Sequence, residues 1–163
     1  MSAADDDERR LVPFLEALGA VTATSGTLGY LLGEVYATLI GSRMGAVVAS
    51  GQNFDTVLQA CRAILDHTEH ELNADLRAAL DRAKSLYEVR NEAVHGVWLD
   101  YELDDDSHER TSFRTRRWRP RVEPRRWTVE ELRRLARDME ESSERIFELM
   151  KRYVGEADDW LPN

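Results

Sequence analysis

Between Asn73 and Gly96 apolar residues recur in steps of three and four: Leu76, Leu80, Ala83, Leu86/Tyr87, then Ala93/Val94. That is the period of an amphipathic α-helix. Asn73 suits its N-cap, Asp75 its first turn and Gly96 its end. The strongest constraint is the residue that interrupts the stripe. Arg90 falls where the period asks for another apolar side chain. A guanidinium set against a core is costly unless it meets a carboxylate, a water-filled cleft or an anionic ligand. Asn91 follows it, and His95 stands at the helix end. A fixed cation, an amide and a titratable imidazole therefore converge near one helix terminus.

The rest of the chain is mostly helical in pattern. Residues 1–7 read as a disordered, solvated acidic tail. From Glu8, Leu11, Leu15, Leu18 and Thr22 mark one face, with Pro13 taken as lying in the first turn. Leu28, Leu32, Val35 and Leu39 continue to Gly41. Gly19, Ser25, Gly26 and Gly29 leave open whether 8–41 is one bent helix or two short ones; such small residues suit close helix approach and a dimer surface. Met44–Ala49 is a short apolar turn. Asn53 caps a helix whose inward residues are Phe54, Val57, Leu58, Cys61, Ile64 and Leu65.

After Gly96 the period becomes two: Val97, Leu99, Tyr101 and Leu103 alternate with polar residues and Trp98. With a returning strand over 112–119, this predicts an inserted β-hairpin at about 97–119, ended by Pro120 and Pro124. Hairpin and arginine-rich stretch together span 97–127. Thr128 to Glu131 is a capping box. It opens a last helix with Leu132, Leu135, Met139, Ser142, Ile146, Leu149 and Tyr153 inward, stopped by Gly155, after which Trp160-Leu161 would tuck back.

A length of 163 residues suits one domain with a real core. The expected class is mainly all-α: an up-and-down bundle of four to five helices. Net charge −9 argues against a general nucleic-acid coat, though not against a local basic groove. A single cysteine excludes an internal disulfide framework and fits a reducing cytoplasm. The acidic opening lacks the basic flank of a secretory signal. The charge-free run 17–33 falls short of the roughly 20 residues a bilayer span needs. A buried helix and no membrane association are expected.

Arg90-Asn91-Glu92-Ala93-Val94-His95 resembles the R-x4-6-H motif of HEPN domains, including the polar residue after the arginine. The all-helical setting, with the motif near the end of a central helix and a long helix following, is similar too. The resemblance implies a metal-independent endoribonuclease, usually a homodimer with two motifs facing each other, needing no cofactor. On this chain it makes His95 the general base or acid acting on the RNA 2′-hydroxyl, a role suited to imidazole. It makes Arg90 a bidentate holder of the scissile phosphate and Asn91 an orienting residue. It also implies a toxin, defence or stress role, with a possible antitoxin partner. Val97 stands where a branch of the family paired with nucleotidyltransferases carries a tyrosine, so that mode of control is not expected. The opposing reading is a non-catalytic helical interaction or nucleic-acid-binding module in which Arg90 bridges to a carboxylate such as Glu92.

The segment 110–126 holds eight arginines against one acid, Glu123, interleaved with Phe113 and Trp118 and followed by Trp127. Arg114, Arg116, Arg117, Trp118 and Arg119 are the candidates for RNA backbone contact and base stacking. Equally, the acids between Asp100 and Glu109 could pair with these arginines across strands. His67 and His70, three apart, are expected to be ordinary residues on one exposed helix face rather than metal ligands. Cys61 is expected in the core.

Overall fold

The computed structural model describes residues 3–95, 97–99, 110–113 and 125–155. Among them the chain is mainly helical, with five α-helices: α1 (Ala3–Leu39), α2 (Met44–Ser50), α3 (Phe54–His67), α4 (Asn73–His95) and α5 (Val129–Val154). Three short strands, β1 (Val97–Leu99), β2 (Arg110–Phe113) and β3 (Arg125–Trp127), lie between α4 and α5 in sequence.

Helix α1 answers the question of one helix or two, being continuous from Ala3 to Leu39. It starts ahead of Glu8, so part of the stretch expected as a disordered tail is helical. Pro13 sits inside the helix, not in its first turn; lacking an N–H, it leaves one intrahelical bond unmade. The inward face is also displaced by one residue. Phe14, Ala17, Val21 and Ser25 are buried, whereas Leu15 is 53% exposed. The reason is register: Phe14, Ala17, Val21 and Ser25 run at helical spacing into Leu28, Leu32 and Val35, which are buried as expected. A single helix has only one such stripe. Gly41 ends it at φ +64°, with Ser42 N–H donating to Ala37 O and Gly41 N–H to Thr38 O, a Schellman closure.

Two compact units divide the chain, and α1, α4 and α5 each contribute to both. The first comprises Met1–Ser25 and Leu86–Met139. Its core takes Phe14, Ala17 and Val21 from α1, Leu86 and Ala93 from α4, Trp127 from β3, and Leu132, Leu135 and Met139 from α5. Strand β1 runs antiparallel to β2 with Val97 opposite Phe113, and β2 antiparallel to β3 with Arg110 opposite Trp127. The returning strand therefore starts at Arg110 rather than Ser112. Its expected continuation, 114–119, lies outside the described residues. The third strand was hidden by its arginines; what holds it is the Trp127 indole, 1% exposed. The capping box forms in both directions: Glu131 N–H donates to Thr128 Oγ1 (3.1 Å) and Thr128 N–H to Glu131 Oε2 (2.8 Å).

The second unit comprises Gly26–Ser85 and Glu140–Asn163. Leu28, Leu32, Leu58, Cys61, Leu76, Leu80, Ile146, Leu149 and Met150 fill its core. Asn53 Oδ1 caps α3 by accepting from Thr56 N–H at 2.9 Å. Asn73 opens α4, yet its side chain looks back and across. Its amide donates to the Thr68 carbonyl at 2.7 Å, and its Oδ1 accepts from the Tyr153 hydroxyl at 3.1 Å. Helix α2 packs through Gly45, where a Cβ would lie 2.7 Å from Ala37 Cα. None of the three glycines expected to admit a close helix, Gly19, Gly26 and Gly29, has a neighbour that close. A Cβ on Gly19, Gly26 or Gly29 would meet nothing within 4 Å, whereas one on Gly33 would touch Ala49. Gly155, at φ +79°, follows the end of α5; Trp160 and Leu161 lie outside the described residues.

Candidate active site

The first unit places three polar side chains of α4 together with one from α1. Arg90 occupies the core-facing row that its spacing assigns, between buried Leu86 and Ala93, and the residue is half-buried. Opposite it, on α1, the same thing happens in mirror form. Ser25 takes a core position in the stripe Val21–Ser25–Leu28 and is 4% exposed. The two polar intruders meet: Arg90 Nε donates to Ser25 Oγ at 3.1 Å. Ser25 in turn donates its own proton to the Thr22 carbonyl at 2.8 Å.

Arg90 Nη1 serves two acceptors, Asn91 Oδ1 at 3.0 Å and His95 Nε2 at 3.0 Å. A guanidinium has only donors, so Nε2 of His95 is the accepting, unprotonated nitrogen and the neutral ring carries its proton on Nδ1. The Tyr87 ring lies beneath the guanidinium, 5.4 Å from Cζ to centroid. His95 itself is exposed, and Asn91 is half-buried. Among the described residues no carboxylate pairs with Arg90, and its Nη2 has no hydrogen-bond partner.

Glu92, two residues further on, is engaged elsewhere. Its Oε2 accepts from Arg125 Nη1 at 2.7 Å, and the Arg125 guanidinium lies 3.9 Å above the buried Trp127 ring. Residue 92 of the motif is thereby tied to β3. At Arg125 the arginine-rich segment contacts α4; the acids between Asp100 and Glu109, the other partners open to it, lie outside the described residues. Trp127 is a core residue and cannot stack on a base.

Arg90, Asn91 and His95 are therefore brought together, Asn91 on the arginine rather than on the imidazole. Arg114, Arg116, Arg117, Trp118 and Arg119 lie outside the described residues. Ser25 is the residue that sequence reasoning passes over. Its signal was available: it is a polar residue at a buried position of its helix, just as Arg90 is in α4.

The remaining candidates resolve as structural parts. Helix α3 ends at His67, so His67 and His70 share no helix face. His67 Nδ1 donates to Ala63 O at 2.8 Å. His70 stacks on Tyr153 at 3.9 Å and accepts from Leu72 N–H through Nδ1. Among the described residues no three His, Cys, Asp or Glu side chains converge as a metal site. Cys61 is fully buried, and burial pushes its thiol up to about 12. Leu11–Leu39, longer than the 17-residue charge-free run, is by length and composition apolar enough to cross a membrane. A buried core helix passes the same test, and Val21, Leu28 and Val35 within it are fully enclosed by protein.

Comparison with family models, curated proteins and solved structures finds no match to this chain. The functional reading therefore stands on the residues themselves.

Proposed function

We propose that this protein is a HEPN-like endoribonuclease that cleaves RNA by attack of the 2′-hydroxyl on the neighbouring phosphorus. The observation that carries the reading is the 3.0 Å contact between Arg90 Nη1 and His95 Nε2, on an arginine that no described carboxylate neutralises. Support comes from chemistry. In-line attack by a 2′-oxygen needs a base for its proton and a cation for the charge that grows on the phosphoryl oxygens.

His95 Nε2 takes the proton of the 2′-hydroxyl, and the oxygen bonds to phosphorus. The bond from phosphorus to the 5′-oxygen breaks, and that oxygen takes a proton from solvent water. The products are a 2′,3′-cyclic phosphate and a 5′-hydroxyl. Arg90, through Nη2, meets the phosphoryl oxygens. Asn91 keeps the guanidinium in plane, and Arg114, Arg116, Arg117, Trp118 and Arg119 hold the flanking RNA.

The resemblance adds a homodimer bringing two motifs together. The exposed, uncharged α1 side chains Val12 (45%) and Leu15 (53%), with open Gly19, offer a surface for a second copy. A cytoplasmic toxin, defence or stress effector restrained by an antitoxin completes the proposal.

One observation favours a second reading. Both hydrogens of Nη1 already have protein acceptors, which is also how a helical interaction module would fix a polar contact in its core. The two part on one assay. Incubated with RNA in excess EDTA, the nuclease cleaves and its His95→Ala variant does not; the module leaves RNA intact in both.

A further inference from the structure

The hydrogen bonds of Arg90 are unequal in what they leave available. A guanidinium offers two forks to an oxyanion: side-on through Nε and Nη2, and end-on through Nη1 and Nη2. In this protein Nε is taken by Ser25 Oγ at 3.1 Å. That hydroxyl is buried and has its single proton committed to Thr22 O at 2.8 Å, so toward Arg90 it can only accept. Its place is fixed by α1, whose Val21 and Leu28 are fully buried on either side. The side-on fork is therefore closed from within the core.

The end-on fork needs one N–H of Nη1, and both are engaged, by Asn91 Oδ1 and by His95 Nε2. Of these partners His95 is the exposed one and Asn91 the half-buried one. His95 is thus the partner that an anion arriving from solvent meets first.

We infer that Ser25 is a positioning residue: by holding Nε it makes Arg90 grip a phosphodiester end-on, and that grip draws Nη1 off His95 Nε2. Phosphate binding and release of the base become one event. In the free protein the imidazole lone pair is capped by the guanidinium, and the substrate uncaps it. This deepens the nuclease reading and rests on it.

The test uses nitrogen NMR of the imidazole rings in the full chain, at about pH 8, where an ordinary histidine is neutral, with inorganic phosphate as the probe. The wild type shows His95 with its proton on Nδ1 and a hydrogen-bonded Nε2, and phosphate shifts Nε2 toward an unbonded acceptor. Ser25→Ala loses the single tautomer and needs about tenfold more phosphate for any change; Ser25→Thr, which keeps an acceptor, restores both. Circular dichroism verifies that the variants fold. Spectra and phosphate titration of Ser25→Ala that coincide with wild type overturn the inference.

RNA cleavage is followed in parallel, and kcat/KM falls about tenfold in Ser25→Ala. A wild type that shows the spectra but cleaves no RNA removes the nuclease reading and leaves the positioning role of Ser25 standing. A wild type that cleaves, with Ser25→Ala equal to it in rate and spectra, does the reverse.

Discussion

Arg90 Nη1 and His95 Nε2 lie 3.0 Å apart, five residues along the same helix. A spacing of five does not stack side chains directly, as three or four would. The contact is made because the long arginine side chain, anchored at Nε by Ser25, reaches along the helix axis to the exposed ring at its end. Arg90→Lys keeps the charge and loses the fork. One ammonium cannot bond Ser25, Asn91 and His95 in that plane while presenting a further edge to phosphate. The expected outcome is a fall in RNA cleavage of about 10² to 10³-fold. A thermal melt should move little, since the residue is only half-buried. Cleavage rate and melting temperature measured on one preparation check both halves.

Ser142 illustrates a polar residue of another kind. It is buried at 7% exposure on the inner stripe of α5, and its Oγ has no hydrogen-bond partner among the described residues. A desolvated, unpaired hydroxyl is destabilising, and alanine is the better helix former. Ser142→Ala should raise the stability by about 1 kcal/mol in urea unfolding. Ser25→Ala removes an equally buried hydroxyl that has two partners and should not stabilise.

Gly45 is a matter of space. A methyl there would meet the Ala37 backbone at 2.7 Å, an atom that cannot swing aside. Gly45→Ala should cost about 1–3 kcal/mol by overpacking, against the gain that alanine ordinarily brings to a helix. Chemical denaturation gives the sign directly.

Cys61 gives an alkaline signature. Burial pushes its thiol up to about 12, above its value in the unfolded chain. A group raised in this way contributes its full share below the unfolded value. That share is lost as pH rises toward the folded one, because only the unfolded chain can ionise. At about 1.4 kcal/mol per pH unit, stability falls by about 4 kcal/mol between pH 9 and 12 on this account. Cys61→Ala should lose that slope in unfolding curves taken across the window. The native thiol should also react slowly with a thiol reagent at neutral pH and quickly once the chain is denatured.

The helices were legible in the sequence where one stripe of large apolar residues admitted one register. Helices α3 and α5 and the span of α4 from Asn73 to His95 follow from Asn53, from the Thr128/Glu131 box and from leucine spacing. Helix α1 was misread by one residue because its true inward row runs through Ala17 and Ser25. Two small residues carry little apolar signal, while Leu11, Leu15 and Leu18 carry more and lie off that row. The same weakness hid Ser25 as a partner of Arg90. The sequence shows that a cation interrupts a core face; it cannot show which residue of another helix stands opposite. Trp127 is flanked by arginines in sequence, yet alternation puts Arg126 and Trp127 on opposite faces of β3, and the indole goes inward.

The central claim is that the imidazole of His95 does the proton transfer that Arg90 makes useful. The most direct measurement is the chemistry of the ends. RNA cleaved by the purified protein in excess EDTA should carry 2′,3′-cyclic phosphates and 5′-hydroxyls, and the same incubation with His95→Ala should leave the RNA uncut. Products bearing 5′-phosphates, or equal cleavage by the His95→Ala protein, would contradict the account.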